Sequence, residues 1–293
     1  MPTIADLPIG AKLKFGAYSV SGETPHKICW VKAHRDGTVL SEFMEDQCAF
    51  DAKEPDNPDE YRREYGNNRC SVSNLQQFLN AEDNGWFRQK HGCDTAPEDR
   101  LMYNGRYGYA DKPGFLHCFE EWEVEAIEES EIKTALPTKD INPGGEKFET
   151  FYAKVFMPSR TNVGGGTENR IQEGEVWDLF ADGTNRACRF SPELFANTRN
   201  NDKPDYENEE WYYYLRSPDS GFSYDVRCVN RDGDISDAYA YDDCIGVRPA
   251  LKLNPEILIS DEPDGDGYYE VLSAPQEIIE IDEDAFFAVL KKM

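Results

Sequence analysis

Residues 232–251 read DGDISDAYAYDDCIGVRPAL and change character at Ile245. Before that residue Asp, Ser, Ala and Tyr nearly alternate, and after it comes a compact apolar segment with a single arginine. An Asp-Gly pair between two alternating segments is a strong signal for a β-hairpin. The stretch therefore predicts a polar, tyrosine-bearing hairpin that turns at residues 232–233, followed by a rigid core strand over residues 246–253.

The rest of the chain predicts many short strands, a few short helices and long loops. Residues 1–50 alternate apolar and polar side chains between turns, which indicates an antiparallel meander. Short helices are predicted at SNLQQFLN after the cap Ser73 and at SPELFANT after the cap Ser191. Residues 51–69 read as a loop, and residues 115–132 read as one partly buried helix. These elements predict the α+β class with an antiparallel sheet.

The domain organisation follows from the position of these elements. We predict a single domain over residues 1–255, in which residues 211–253 supply a strand, the hairpin and the core strand. Residues 256–293 read as an appendage made of an acidic turn and a C-terminal helix in DEDAFFAVLKKM.

The charge of the chain argues against several partners. Its 31 basic and 57 acidic residues give a net charge of −26, whereas nucleic-acid binding requires a basic face. No run of about 18 apolar residues occurs, so no membrane insertion is expected. The first residues show no signal peptide, so we expect synthesis in the cytoplasm. In that compartment the eight cysteines are expected to be free, mostly buried thiols.

No catalytic residue stands out, and no metal or other cofactor is expected. The sequence has no C-x-x-C spacing and its four histidines are scattered, which disfavours a zinc site. Acidic turns such as DGDISD carry oxygen ligands for calcium, but their spacing differs from that of an EF-hand loop and they read as solvated turns. A redox pair of Cys228 and Cys244 at the hairpin is an alternative, although no His or Lys lies nearby in the sequence to activate it.

Tyrosines around the hairpin form the candidate ligand-binding surface. Tyr offers a large, rigid contact area while Ser and Asn adapt their hydrogen bonds, a mixture that antibody paratopes use; packing on a pleated sheet also favours Tyr. Alternation predicts that Tyr212 and Tyr214 share one face, opposite Tyr213, and that Tyr239 and Tyr241 share another. The candidate ligand-binding residues are Tyr212, Tyr214, Phe222, Tyr224, Asp225, Asn230, Asp237, Tyr239, Tyr241, Asp242 and Asp243.

Two arginines next to prolines are candidates for a structural role. Arg216 lies in LRSP and Arg248 in GVRPAL, each among strand residues. A buried guanidinium needs a carboxylate or several carbonyl oxygens, so both are expected to hold loops to the core. Ligand anchoring is the alternative. The predicted structural residues are Trp211, Arg216, Arg248 and Pro249.

The segments WYYYLRSP at 211–218 and GVRPALKL at 246–253 resemble the W-[YW]-W-L-R-[ST]-P and G-V-R-P-A-L motifs of an uncharacterised domain family of gut Firmicutes and their phages. The N-terminal half, including GAKLKFGAYSV, is similar to phage-encoded members, so the likeness runs from Leu7 to Leu253. That family is similar in fold to formylglycine-generating enzymes and to the variable proteins of diversity-generating retroelements. The resemblance implies a C-type-lectin-like fold with a changeable display segment at 220–243.

The resemblance also implies a function. A variable protein of this kind is a non-enzymatic display protein, here phage- or prophage-encoded, that reaches the virion tail and binds a host cell-surface protein or glycan. One alternative is a structural virion or tail protein whose tyrosine-rich face packs on a neighbouring subunit. Another is a thiol or copper oxidoreductase of the same fold, which would depend on Cys228 and Cys244. The oligomeric state is not predicted.

Overall fold

The computed structural model describes residues 1–20, 22, 24–183, 185–199 and 201–273. Its four α-helices are α1 (Glu60–Tyr65), α2 (Asn74–Leu79), α3 (Glu121–Ala126) and α4 (Pro192–Asn197). Its fifteen strands are β1 (Lys12–Tyr18), β2 (His26–Lys32), β3 (Thr38–Ser41), β4 (Asp46–Gln47), β5 (Ser130–Ala135), β6 (Phe148–Ala153), β7 (Val155–Phe156), β8 (Cys188–Arg189), β9 (Glu210–Trp211), β10 (Tyr213–Pro218), β11 (Asp225–Val229), β12 (Ile235–Tyr239), β13 (Gly246–Val247), β14 (Ala250–Lys252) and β15 (Tyr268–Glu270). Short 3-10 helices lie at Ile4–Asp6, Cys70–Val72, Asp99–Leu101, Phe115–Cys118, Thr138–Asp140 and Asp178–Phe180. The protein is therefore of the α+β class.

Two large sheets organise the molecule. A six-stranded sheet has the order β15-β1-β2-β3-β14-β7, and a five-stranded sheet has the order β12-β11-β10-β13-β4. The pairs β1 with β15 and β10 with β13 are parallel, and the other pairs within these sheets are antiparallel. The strands β5 with β6 and β8 with β9 form two smaller sheets.

The core strand predicted over residues 246–253 is two strands in two different sheets. β13 pairs with β10 and β4, whereas β14 pairs with β3 and β7. Arg248 and Pro249 lie between them. Proline has no N–H to donate to a strand ladder, so the first ladder ends here and the chain passes into the second sheet.

The central strand β10 is covered on both faces. Tyr214 packs on one side in a cluster with Trp30 and Phe78, and Tyr213 packs on the other side in a cluster with Phe190. Both tyrosines are 0% exposed. The five-stranded sheet is thus sandwiched between two apolar clusters, and its outer hairpin carries the residues nearest to solvent.

Two predicted helix starts are confirmed. The Ser73 hydroxyl accepts a hydrogen bond from the Gln76 N–H over 3.2 Å at the start of α2. The Ser191 hydroxyl accepts from the Leu194 N–H over 3.1 Å at the start of α4, whose first residue is proline. Each cap satisfies one of the N–H groups that have no partner inside the helix.

Two other predictions are wrong. Residues 51–69 contain α1, which the prediction of a loop omitted; its EYRREY sequence has no apolar period, and the Arg62 guanidinium stabilises it from outside by pairing with Asp140 over 2.6 Å. Residues 115–132 are not one helix, because α3 ends at Ala126 and β5 begins at Ser130. Pairing of β5 with β6 overrides the helical pattern of its sequence.

Part of the predicted C-terminal appendage is joined to the six-stranded sheet. β15 pairs in parallel with β1, and Leu258 forms an isolated bridge with Thr3. The helix predicted in DEDAFFAVLKKM lies outside the described residues. Within the ranges that are described, no helix has the length and apolar character needed to cross a bilayer.

A candidate ligand-binding surface of tyrosines

The hairpin that carries the predicted site is formed by β11 and β12. Its register pairs Asp225 with Tyr239 and Val229 with Ile235. The turn contains Gly233 at a φ of 85°, a left-handed conformation that glycine adopts without steric cost. The predicted hairpin is confirmed, and it places Tyr239 at the end opposite to the turn.

Seven aromatic side chains form one contiguous cluster at that end, which we call the tyrosine surface. Tyr65 lies at its centre, with its ring centroid 4.8 Å from that of Tyr239, 5.2 Å from Tyr224 and 5.7 Å from Tyr241. Stacked and tilted rings at these distances attract each other beyond the effect of buried area. The members are Tyr61, Tyr65, Tyr103, Phe222, Tyr224, Tyr239 and Tyr241.

The margin of the tyrosine surface is open to solvent. Tyr61 stacks on Tyr224 at 5.1 Å, and Tyr103 meets Tyr241 edge-on at 5.5 Å. The exposed fractions are 48% for Tyr61, 57% for Tyr103, 49% for Phe222 and 41% for Tyr239. A contiguous exposed group of aromatic rings marks an interaction site more often than isolated apolar residues do.

Three separate chain segments build this surface. The hairpin and the loop before it supply four members, which the sequence predicted. Helix α1 supplies Tyr61 and Tyr65, and the loop at 102–108 supplies Tyr103; these three residues were missed. The spacing of four residues in YRREY places two side chains on one helix face and would have indicated them if α1 had been predicted.

Hydrogen bonds fix the two outer segments to the hairpin. The Tyr103 N–H donates to the Tyr241 carbonyl over 3.0 Å. The Tyr241 N–H in turn donates to the Tyr65 carbonyl over 3.0 Å. The backbone of residue 241 therefore lies between α1 and the loop at 102–108 and sets the spacing of their rings.

Several predicted ligand-binding residues are buried, which corrects their assignment. Tyr214 is fully buried because both faces of β10 are covered, and its hydroxyl donates to the carbonyls of Tyr239 at 2.6 Å and Asp242 at 3.0 Å. Asp243 is 0% exposed, and its carboxylate accepts the N–H of Asn104 over 3.0 Å. Both residues hold neighbouring backbone in place from the interior and offer no surface to a ligand.

Two further predicted residues lie away from the tyrosine surface. Tyr212 is half-buried and contacts the Trp211 ring. The Cζ atom of Arg231 lies 3.8 Å from the centroid of the same Trp211 ring. The Asn230 side-chain oxygen accepts two backbone N–H groups of the turn, from residues 232 and 234, each over 2.9 Å. Asn230 thus stabilises the hairpin.

Tyr239 and Tyr241 share a face, as the alternation predicted, with their ring centroids 6.0 Å apart.

A group of charged residues borders the tyrosine surface around Arg227. The Arg227 guanidinium lies 2.9 Å from Glu168, 3.0 Å from Asp219 and 3.6 Å from Asp237. Asp225 is buried, and its Oδ1 has no hydrogen-bond partner within the described part of the chain. Burial, and then the negative charges of Asp237 and Asp219, raise the pKa of Asp225 to about 7.

The two carboxylates and the thiol of residues 242–244 form a tight group whose potential ligand atoms lie within 4.8 Å of one another. These atoms already accept hydrogen bonds: Asp242 from the Cys244 N–H over 2.9 Å, Asp243 from backbone N–H groups, and the Cys244 sulfur from the Asn104 amide over 2.6 Å. Burial raises the pKa of Asp242 to about 6. The group therefore acts as an internal hydrogen-bond centre for the loop at 102–108.

All eight cysteines are free thiols, as expected, but only four of them are buried. Cys228 lies opposite Ser236 in the hairpin. Burial raises the pKa of the Cys228 thiol to about 12 and raises that of Cys244 as well. A thiol that stays protonated is a poor nucleophile, so the geometry gives no support to a reactive pair at these two positions.

The two arginines singled out by sequence bind carbonyl oxygens in the interior. Arg216 is 3% exposed and donates to the carbonyls of Met157 at 2.9 Å and Glu173 at 2.5 Å. Arg248 donates to the Ser41 carbonyl over 3.0 Å. Nearby, the Trp211 indole donates to the Cys244 carbonyl over 2.8 Å, and the carbonyl of Pro249 accepts from the Ser41 N–H over 2.9 Å.

The fold and the surface together define an α+β protein with an aromatic face on the outer hairpin of its five-stranded sheet. Residues 39–255 match the family described as "Domain of unknown function (DUF6273)". The match covers well over half of the chain, and the chain belongs to this family. The matched residues include the whole five-stranded sheet and all members of the tyrosine surface. No curated protein and no solved structure matches the chain.

Proposed function

We propose that this chain is a non-enzymatic ligand-binding protein whose tyrosine surface binds a protein or glycan on a host cell. In this proposal the chain is encoded by a phage or prophage, adopts a C-type-lectin-like fold and is carried on the virion tail. The observation that supports it most directly is the contiguous cluster of seven aromatic residues, four of them at least 41% exposed.

The division between surface and core supports a display role. The outward residues of the hairpin region include Phe222, Asp237 and Tyr239, whereas Val226 and Ala240 beside them are 0% exposed and belong to the core. Side chains of the first kind can change without a loss of core packing, because they lie outside the two apolar clusters of the interior. A variable protein of a diversity-generating retroelement requires this arrangement in the segment 220–243.

Adhesion measurements test the proposal. The variants Tyr61→Ala and Tyr239→Ala each remove one exposed ring of the tyrosine surface. We expect each to lower binding to the host cell about tenfold or more, since an aromatic hot-spot residue contributes about 1.4 kcal/mol or more to an interface. The matched control is Tyr206→Ala, because Tyr206 is 71% exposed and lies outside the tyrosine surface.

The same variants distinguish the proposal from a structural role in the virion. If the tyrosine surface packs against a neighbouring subunit, Tyr239→Ala blocks particle assembly and no particles are available for adhesion. If particles assemble normally and the two variants adhere as well as the Tyr206→Ala control, the ligand-binding proposal is wrong.

A further inference from the structure

We propose that the ligand of the tyrosine surface is cationic: a basic segment of a partner protein that places an arginine or lysine side chain between Tyr239 and the neighbouring carboxylates. This inference rests on the proposed function, because it names the chemistry of the ligand for the same surface. Three features of the described residues support it: the shared face of the hairpin, the excess of carboxylates, and the partnerless oxygen of Asp225.

The hairpin places aromatic and acidic side chains on one face. Its register pairs Asp225 with Tyr239 and Arg227 with Asp237. Directly paired residues of an antiparallel sheet point to the same side, with Cβ atoms about 5 Å apart. Tyr239 is 41% exposed, and the side chain of Asp237 is 50% exposed. A ligand group that lies on the Tyr239 ring therefore meets the Asp237 carboxylate.

Negative charge exceeds positive charge around Arg227. The only cations that pair with this group in the described ranges are Arg227 itself and Arg160, which lies 2.9 Å from Glu168. Two guanidinium groups thus face four carboxyl groups. The four are Glu168, Asp219, Asp225 and Asp237. The chain as a whole carries a charge of −26, so its field also favours the approach of a basic partner.

Asp225 gives an independent indication that the two guanidinium groups do not balance every acidic group at this site. Asp225 is 6% exposed, and its Oδ1 has no hydrogen-bond partner among the residues that the structure describes, whereas buried polar atoms are nearly always paired. The charged groups that act on it are Asp219 from the preceding loop, Asp237 from β12 and Arg227 from its own strand. A cation bound at Asp237 would offset the two neighbouring negative charges and allow Asp225 to ionise.

The tyrosine surface already holds one cation of the chain itself. The Lys53 ammonium lies 5.0 Å from the centroid of the Tyr241 ring, within the range of a cation–π interaction. Arginine suits the Tyr239 side of the surface best, because its planar guanidinium stacks on a ring and binds a carboxylate with two parallel hydrogen bonds. A neutral glycan would use the rings and leave the carboxylate excess without a counterpart.

The test measures binding of defined probes to the full chain by NMR or fluorescence titration. The basic probe is the blocked peptide Gly-Arg-Gly-Arg-Gly, and the neutral probes are Gly-Gln-Gly-Gln-Gly and maltopentaose. Among the three probes, we expect only the arginine peptide to bind saturably. Asp237→Asn and Tyr239→Ala should each weaken this binding at least about threefold. Added salt should also weaken it once the Debye length of the solution falls below about 5 Å. The matched control Asp232→Asn removes an equal charge from the exposed turn of the same hairpin and should have no effect.

The pH profile provides a readout that general charge attraction would not produce. Because a bound cation favours ionised Asp225, binding releases a proton, and the affinity for the arginine peptide should rise as the pH increases from about 6 to 8. Asp225→Asn should abolish this rise while the protein stays folded, which circular dichroism checks. An unchanged rise in the Asp225→Asn variant would overturn the inference.

The adhesion assay separates this inference from the proposed function. If Tyr239→Ala reduces adhesion but Asp237→Asn does not, or if maltopentaose binds and the arginine peptide does not, the ligand is not cationic and the proposed function still stands. If Tyr239→Ala leaves adhesion intact, both fail. Reduced adhesion in both variants, with Asp232→Asn unaffected, supports both.

Discussion

Replacing Arg216 by methionine tests whether the interior of this protein depends on a single guanidinium. The group is 3% exposed and donates four hydrogen bonds: to the carbonyls of Lys133 at 3.3 Å, Met157 at 2.9 Å and Glu173 at 2.5 Å, and to the Asn162 side chain at 2.8 Å. Methionine fills a similar volume but donates none of them. The four acceptors would then be buried without this donor.

The Glu173 carboxyl increases the expected cost. It is 0% exposed, and although burial raises its pKa, the charge of Arg216 lowers it. Without Arg216 this carboxyl must stay buried with no cation or take up a proton. In the described structure Arg216 bonds the backbone carbonyl of Glu173 and acts on its carboxyl through charge alone. Each buried acceptor that loses its donor costs about 1 to 3 kcal/mol, so we expect Arg216→Met to lower the free energy of unfolding by about 3 kcal/mol or more.

Urea unfolding followed by circular dichroism measures this cost. In a double-mutant cycle with Glu173→Gln, we expect Arg216→Met to cost less than in the wild-type chain by about 0.5 kcal/mol or more, because the two charges interact through the buried interior. Arg216→Lys is the matched control, since it keeps the charge and loses the planar fork of donors. An Arg216→Met variant within about 1 kcal/mol of the wild type would refute the reasoning; if it also lost ligand binding, Arg216 would be a ligand anchor.

Three further predictions concern the glycine of the core strand, a helix cap and the buried carboxyl. Gly246→Ala should destabilise the protein by about 2 kcal/mol or more in urea, because the new Cβ would overlap the Met44 sulfur, whereas Gly265→Ala, with no atom within 4 Å, should be neutral. Ser73→Ala should cost about 1 to 2 kcal/mol of unfolding free energy through loss of the α2 cap, and a loss below about 0.3 kcal/mol would contradict this. The pKa of about 7 at Asp225 lies above its ordinary value of 3.8, so the folded state holds a proton that the unfolded state releases, and stability should fall as the pH rises from about 4 to 7. Asp225→Asn should remove this fall and be more stable at pH 8 by up to about 4 kcal/mol; parallel pH curves for the two proteins would show that another group is responsible.

Local signals in the sequence predicted the local structure well. The Asp-Gly pair located the hairpin turn, and Ser73 and Ser191 located two helix starts, because each signal acts within a few residues. Alternation also separated Tyr213 from Tyr214 correctly. These predictions required no knowledge of how the sheets pack.

The errors arise where packing between distant segments decides the outcome. Alternation shows that Tyr214 faces away from Tyr213 but not that both faces of β10 are covered, which depends on the second sheet and on Phe190. Helix α1 has no apolar stripe and relies on a pair with Asp140 about eighty residues away. Two of the seven members of the tyrosine surface, Tyr61 and Tyr65, were missed for this reason, since they depend on α1.

The origin of the aromatic rings sets a limit on how far the surface can be altered by changing the hairpin alone. Tyr61, Tyr65 and Tyr103 come from segments outside residues 220–243. A repertoire of chains that differed only within 220–243 would inherit these three rings in every member. Selection among the members would then act only on the rings that the hairpin region supplies, beside three rings that never change.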